Sequence, residues 1–273
     1  MHSKDSEDAA IDYWIDEAER LYQVHDYPEA LEAIEQALAR NPRFSAGWVK
    51  KGIILRALQR YADGSNALER ALDLDPKNAA TWHERGYTLY RANAFADAAA
   101  AYESSLALDP NNGQVWRNLG TALYRQGHYA QAGQAYRQAL AIDASNAGNA
   151  LAWSGLSLVA AAQEHLAEAL EYLDQAITCD PSCTDAWSNK GTFLSQGGQP
   201  EAALRAYDRA LELSPTNAHT WFNRACLLTK LHRSEEALNA CERSLALDPS
   251  QTEAWEQLDA ILAQLSPEVR RST

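Results

Sequence analysis

The chain has little that would interrupt or pin a backbone. Its 273 residues include only nine prolines and thirteen glycines, in a sequence that is 46% hydrophobic and rich in alanine. That scarcity favours helix throughout, because proline and glycine are the costliest residues inside one, and no strand pattern competes with it. Positive charge is in deficit too: 24 lysines and arginines stand against 37 aspartates and glutamates, a formal charge of −13. Wholesale binding to nucleic acid or insertion against an anionic membrane is therefore not expected, although a local basic patch is compatible with it. No run of 18 apolar residues occurs, and the amino-terminal Met1 to Asp8 lacks the apolar centre of a signal peptide, so the expected location is cytoplasmic. The four cysteines, Cys179, Cys183, Cys226 and Cys241, form no CxxC pair and no histidine stands close to complete a metal set. Unpaired thiols are the expectation. Phosphate loops, HExxH and GxSxG are missing, and the seven histidines fall at unrelated places. The chain reads as non-enzymatic, with no cofactor and no metal.

What is present is a period. All eight tryptophans, Trp14, Trp48, Trp82, Trp116, Trp153, Trp187, Trp221 and Trp255, follow one another at 34 residues except for a single step of 37. A fixed period of this length marks stacked supersecondary units. The units run 11–44, 45–78, 79–112, 113–146, 150–183, 184–217 and 218–251, after an acidic lead at 1–10. A closing helix at 252–265 and a polar tail at 266–273 follow them. Within the fourth unit Trp116, Leu119, Gly120 and Leu123 share one helical face, and Ala132, Tyr136, Ala139 and Leu140 share another. Gly127 between them suits the left-handed residue that ends a helix, so each unit is predicted to be a helical hairpin. The Asp-Pro pairs Asp75-Pro76, Asp109-Pro110, Asp180-Pro181 and Asp248-Pro249 stop second helices, and Asn78 and Asn112 are placed to cap the next ones. Gly52, Gly86, Gly120 and Gly191, four residues after a tryptophan, imply close helix contacts that a larger side chain would block. The tryptophans are expected to fill the complementary space.

The Trp-x-x-Leu-Gly, Ala and Pro positions together resemble those of the tetratricopeptide repeat family, over about residues 11–265. The resemblance implies an all-α, right-handed superhelical solenoid of antiparallel helix pairs whose first helices line a concave groove. It also implies a scaffold that binds a protein or peptide there rather than a catalyst. Two departures stand out: Ala144 replaces the proline of the fourth unit, and Ala147-Gly148-Asn149 are additional. These three residues read either as a longer loop or as a change of stacking between two sub-arrays.

Taking the family's groove positions gives Lys50 and Arg56, then His83, Tyr87, Tyr90 and Arg91, then Arg117, Asn118, Tyr124 and Arg125, a basic and aromatic surface. Asn189 and Asn223 continue the asparagine position of Asn118 in the later units, where the groove is polar and mostly uncharged. An amide can donate and accept, which suits a peptide backbone of any sequence. The partner expected for the basic surface is an acidic or carboxylate-ended protein segment. Self-association into a structural assembly, and service as the regulatory part of a larger enzyme system, are the alternatives.

In the closing helix Trp255, Leu258 and Leu262 continue the buried apolar stripe while Glu253, Glu256, Gln257, Asp259 and Gln264 make the other faces polar. A solenoid needs such a polar-faced last element for solubility. A chain ending at Ser250 is accordingly expected to lose thermal stability and solubility, measured by thermal scan and sedimentation, relative to the full chain.

Overall fold

The computed structural model describes residues 2–142 and 146–265, with side-chain environments from Ala10 to Ile142 and from Gly148 to Leu265. Ala144 and the polar tail at 266–273 lie outside the described residues. Fifteen α-helices and no strand are found among those described. The contacts divide the chain into two units, one up to residue 143 and one from residue 144.

The first unit holds four hairpins: α1 (His2–Gln23) with α2 (Tyr27–Arg40), α3 (Ser45–Ala57) with α4 (Tyr61–Leu74), α5 (Ala79–Arg91) with α6 (Phe95–Leu108), and α7 (Gly113–Arg125) with α8 (Tyr129–Ile142). The second holds α9 (Asn146–Ala162) with α10 (Leu166–Cys179), α11 (Thr184–Gln196) with α12 (Pro200–Leu213), α13 (Ala218–Lys230) with α14 (Ser234–Leu247), and the single α15 (Thr252–Gln264). In each unit the second helix of a hairpin packs on the first helix of the next. First helices also touch one another, α3 with α5, α5 with α7, and likewise along α9, α11, α13 and α15.

The hairpins close where the small residues stand. A Cβ on Gly86 would lie 2.6 Å from the Tyr102 ring, on Gly120 2.9 Å from Tyr136, on Gly191 2.6 Å from Tyr207, and on Gly52 2.6 Å from Leu68. Each partner is sixteen residues further on, and the same register sets the smaller Ile34 and Cys241 opposite the larger Ala18 and Ala225. Volume is thus shared across the contact, as a close-packed interior requires. Tyr102, Tyr136 and Tyr207 are almost completely buried there.

The predicted caps are in place. The Asn78 and Asn112 side chains accept from the Thr81 and Val115 backbone N–H groups at 3.1 and 3.2 Å, and Asn217 does the same for Thr220 at 3.0 Å. Helices α4, α6, α10 and α14 end one residue before the aspartate of an Asp-Pro pair. Gly127 has φ of 80°, as the turn demands, but the equivalent places in five hairpins carry His25, Gln59, Asn93, Glu164 and His232 at φ of 56–65°. A left-handed residue with a side chain costs roughly 1–2 kcal/mol. The closure of each hairpin has to offset that cost.

Two features differ from the sequence reading. The tryptophans are half-buried rather than core, and Trp255 is 51% exposed. Their edges are committed to the turns: the indole N–H donates to the carbonyl of the proline six residues earlier in Trp48, Trp82, Trp116, Trp187, Trp221 and Trp255, at 2.9–3.1 Å. A cation three residues on covers four of the rings while pairing with an acid of the preceding second helix. These are Lys51 with Glu35, Arg85 with Glu69, Lys190 with Asp174, and Arg224 with Asp208. The second difference concerns Ala147-Gly148-Asn149, which do not lengthen a loop. They lie in α9, which has 17 residues where the other first helices after α1 have 13. Trp153, without a proline six residues before it, stacks on Tyr172 at 5.5 Å.

Replacing Gly191 by alanine should lower stability by about 1–3 kcal/mol through overpacking against Tyr207, despite alanine's better helix propensity. Tyr207→Leu in the same chain should recover part of the loss. Unfolding of the two single variants and the double variant measures the coupling, and purely additive costs would show that the pair does not meet.

Candidate partner-binding site

Ten of the twelve residues expected to bind a partner lie on the first helices α3, α5 and α7 of the first unit. Asn189 and Asn223 belong to the second unit, on α11 and α13, where both are half-buried.

The first-unit face is less basic than its composition. Lys50 is ion-paired with Glu19 of α1, and Arg56 with Glu84 of α5 at 2.6 Å. Arg56 is also 3.4 Å from Thr88 and lies 4.7 Å over the ring of Tyr87. These contacts join adjacent repeats, so two of the five expected cations serve the stacking of hairpins. Arg91 and Arg125 are different. Both are exposed, and they meet aromatic rings: Arg91 lies 5.9 Å from the Tyr61 ring, with a 3.5 Å contact to its hydroxyl, and Arg125 lies 4.6 Å over Phe95. A hydrogen bond to Tyr87 holds the Arg91 guanidinium charged, above its ordinary range. Stacking on a ring leaves a guanidinium its in-plane donors, which can face a carboxylate. Arg117 is half-buried on α7.

The polar groups at the centre are satisfied by one another. The Asn118 amide lies 2.8 Å from His83 Nε2, and since an amide N–H donates, His83 accepts there as the neutral ring. Burial pushes the His83 pKa down, with Glu84 opposing and Arg56 assisting. The Thr121 hydroxyl reaches the Arg117 carbonyl and the Tyr136 hydroxyl, at 3.0 and 3.1 Å. Burial raises the Tyr136 phenol to about 12 and lifts Tyr124 and Tyr102 as well. Tyr124 packs at a tilt on Tyr129, and Tyr90 on Phe95. Three contributors escaped the sequence reading: Glu19 and Tyr102, which face the site from neighbouring helices, and the pairing role of Glu84. The signal for Tyr102 was its place sixteen residues after Gly86.

Among the described residues no helix is long and apolar enough to cross a membrane. The sequence profile of the tetratricopeptide repeat matches residues 15–79, 49–113, 83–147, 117–182 and 155–218, and a second tetratricopeptide profile matches 206–239. No curated protein matches the chain. Among solved structures, a tetratricopeptide repeat protein from Parabacteroides merdae is similar at 15% identity, over 93% of this chain and 99% of that one, with a TM-score of 0.79. A chain of the Cut9-Hcn1 hetero-tetramer of APC/C gives 17% identity and a TM-score of 0.70 over 90% of this chain, which spans 48% of that larger one. PilW, a type IV pilus biogenesis factor, gives 19% identity and 0.68 over 80% of this chain and 98% of its own. At these identities the likeness is one of fold.

Because His83 is held neutral, its folded pKa lies below the usual value, so its contribution to stability is complete above about pH 6.5 and is lost as the pH falls through the lowered value. The chain is expected to lose stability between pH 7 and pH 5, and His83→Gln, which keeps an acceptor for Asn118, to lose less. Urea midpoints of both proteins at the two pH values test this.

Proposed function

Given that the chain belongs to the tetratricopeptide repeat family, whose members are generally non-catalytic scaffolds for protein interaction, we propose that it binds an acidic protein segment along the α3, α5 and α7 face of its first unit. The observation that carries this reading is the contrast between the cations of that face. Lys50 and Arg56 are neutralised by Glu19 and Glu84, whereas the exposed Arg91 and Arg125 lie against aromatic rings. A carboxylate bonded to such a group in a partly shielded site gains about 1.5–3 kcal/mol, against 0–1 kcal/mol for a fully exposed pair. Asn118 belongs to the rim of the same site, its amide already oriented by His83. The asparagines of the second unit, Asn189 and Asn223, are offered as a further, uncharged stretch for backbone contacts.

Self-assembly, in which one copy's end docks on another's first-helix face, is the competing reading; the charges of α1 and α15 weigh only against an end-to-end arrangement. The exposed Tyr13 is flanked by Asp12 and Asp16, and the exposed Trp255 by Glu253, Glu256 and Asp259. Like charges brought together across an interface oppose association.

Proteins captured from native lysate on the immobilised chain identify a partner. The Arg91→Ala, Arg125→Ala double variant should then bind it about tenfold or more weakly, with unchanged helicity and a shallower salt dependence. Unaltered affinity in the double variant would place the binding surface elsewhere.

A further inference from the structure

We infer that the pocket between α5, α6 and α7 receives one aliphatic side chain, of leucine size, from that acidic segment. The inference rests on the partner lying along this face, and names the group that anchors it. The pocket is lined by Tyr87, Tyr90, Tyr102, Asn118 and Thr121, encloses about 50 Å³, and has an almost wholly apolar lining.

Its origin is a single replacement in the repeat pattern. In two other hairpins the buried tyrosine meets a threonine placed one residue after the glycine: Tyr136 reaches Thr121 at 3.1 Å and Tyr207 reaches Thr192 at 3.2 Å. In α5 that place is Tyr87, a residue 36% exposed whose ring lies beneath the Arg56 guanidinium. The hydroxyl end of Tyr102 is therefore left along the wall of the pocket instead of against a threonine.

The chemistry of the occupant follows from which groups are already used. The Asn118 amide nitrogen is engaged by His83, and the Thr121 hydroxyl by Tyr136 and the Arg117 carbonyl. What the pocket presents to a ligand is mostly aromatic carbon, with the Tyr102 hydroxyl at its wall, and this favours an apolar group over a carboxylate or an amide. Size narrows the class. A pocket of about 50 Å³ suits a small branched aliphatic group better than a bulky one. The flanks of the segment are set by charge: Arg91, one turn after Tyr87, and Arg125, one turn after Thr121, follow pocket residues on α5 and α7 and favour acidic residues next to the anchor.

The test uses the full chain and four capped twelve-residue peptides, with flanks of aspartate and glycine or of serine and glycine, and with leucine or glycine at the centre. The acidic leucine peptide should bind at least tenfold tighter than the acidic glycine peptide in fluorescence anisotropy. Its methyl protons should also give nuclear Overhauser contacts to the Tyr87 and Tyr90 rings. Tyr87→Ala, an exposed position, should reduce the leucine preference to threefold or less while helicity by circular dichroism is kept. Equal binding of the two acidic peptides overturns the anchor and leaves the acidic-segment reading standing. A leucine preference that is the same with neutral flanks supports the pocket and overturns the acidic flanks. Binding by none of the four peptides overturns both, and methyl contacts to other residues overturn the pocket itself.

Discussion

The approach of two helices at a glycine is the constraint on which the rest of this protein depends. Where Gly86, Gly120 and Gly191 meet Tyr102, Tyr136 and Tyr207, the backbones are near enough that one added carbon would collide with a ring. That distance fixes the angle and register of each hairpin. Once the register is fixed, the tryptophan four residues earlier is held at the edge of the core. From there its indole N–H can reach the turn, and its outer face is left for a lysine or arginine to cover. The first helices then present their remaining residues on one side. The site inherits its geometry from a contact in which none of its exposed side chains takes part.

The site shows why composition is a poor guide to charge at a surface. Lys50, Arg56, Arg91, Arg117 and Arg125 read as one basic patch in the sequence. Their environments divide them, because a repeat array places the residues of one helix within reach of those on the next. Glu19 lies 31 residues from Lys50, and Glu84 lies 28 from Arg56, close to one period in each case. Such near-period pairs are what stacking selects: they neutralise charge and tie neighbours together in the same contact. The arginines that fall opposite aromatic residues instead keep a charge to offer.

Most of the fold was legible because the signal recurs. Six of the seven tryptophan steps are 34 residues, a small residue stands four places on in each of the seven hairpins, and asparagine caps recur at Asn78, Asn112 and Asn217, so no single substitution hides the pattern. The asparagine caps and the Asp-Pro stops depend only on local backbone chemistry, and they are found where the sequence puts them. The half-exposure of the tryptophans was not legible, since it depends on a hydrogen bond to a carbonyl, a group that every residue carries and no composition reveals. Nor was the fate of Ala147-Gly148-Asn149. A glycine beside an asparagine is good turn chemistry, yet the added residues entered α9, where a helix already underway can take them up at one backbone hydrogen bond each. Within the site, the residue types and their shared face were readable. The pairing of Arg56, the bond between His83 and Asn118, and the entry of Tyr102 from α6 were not, because each is a relation between helices.

The bond from indole to proline carbonyl has a bearing on how such a chain can change in length. It joins two positions always six residues apart across a junction, so a segment of one full period, removed or duplicated anywhere between two prolines, restores the same bond at the new boundary. Modules of this kind are exchangeable parts, and recombination can graft them without redesigning a turn. The 37-residue step before Trp153 breaks that rule. A module cut at this boundary carries an end without the bond that six other junctions share.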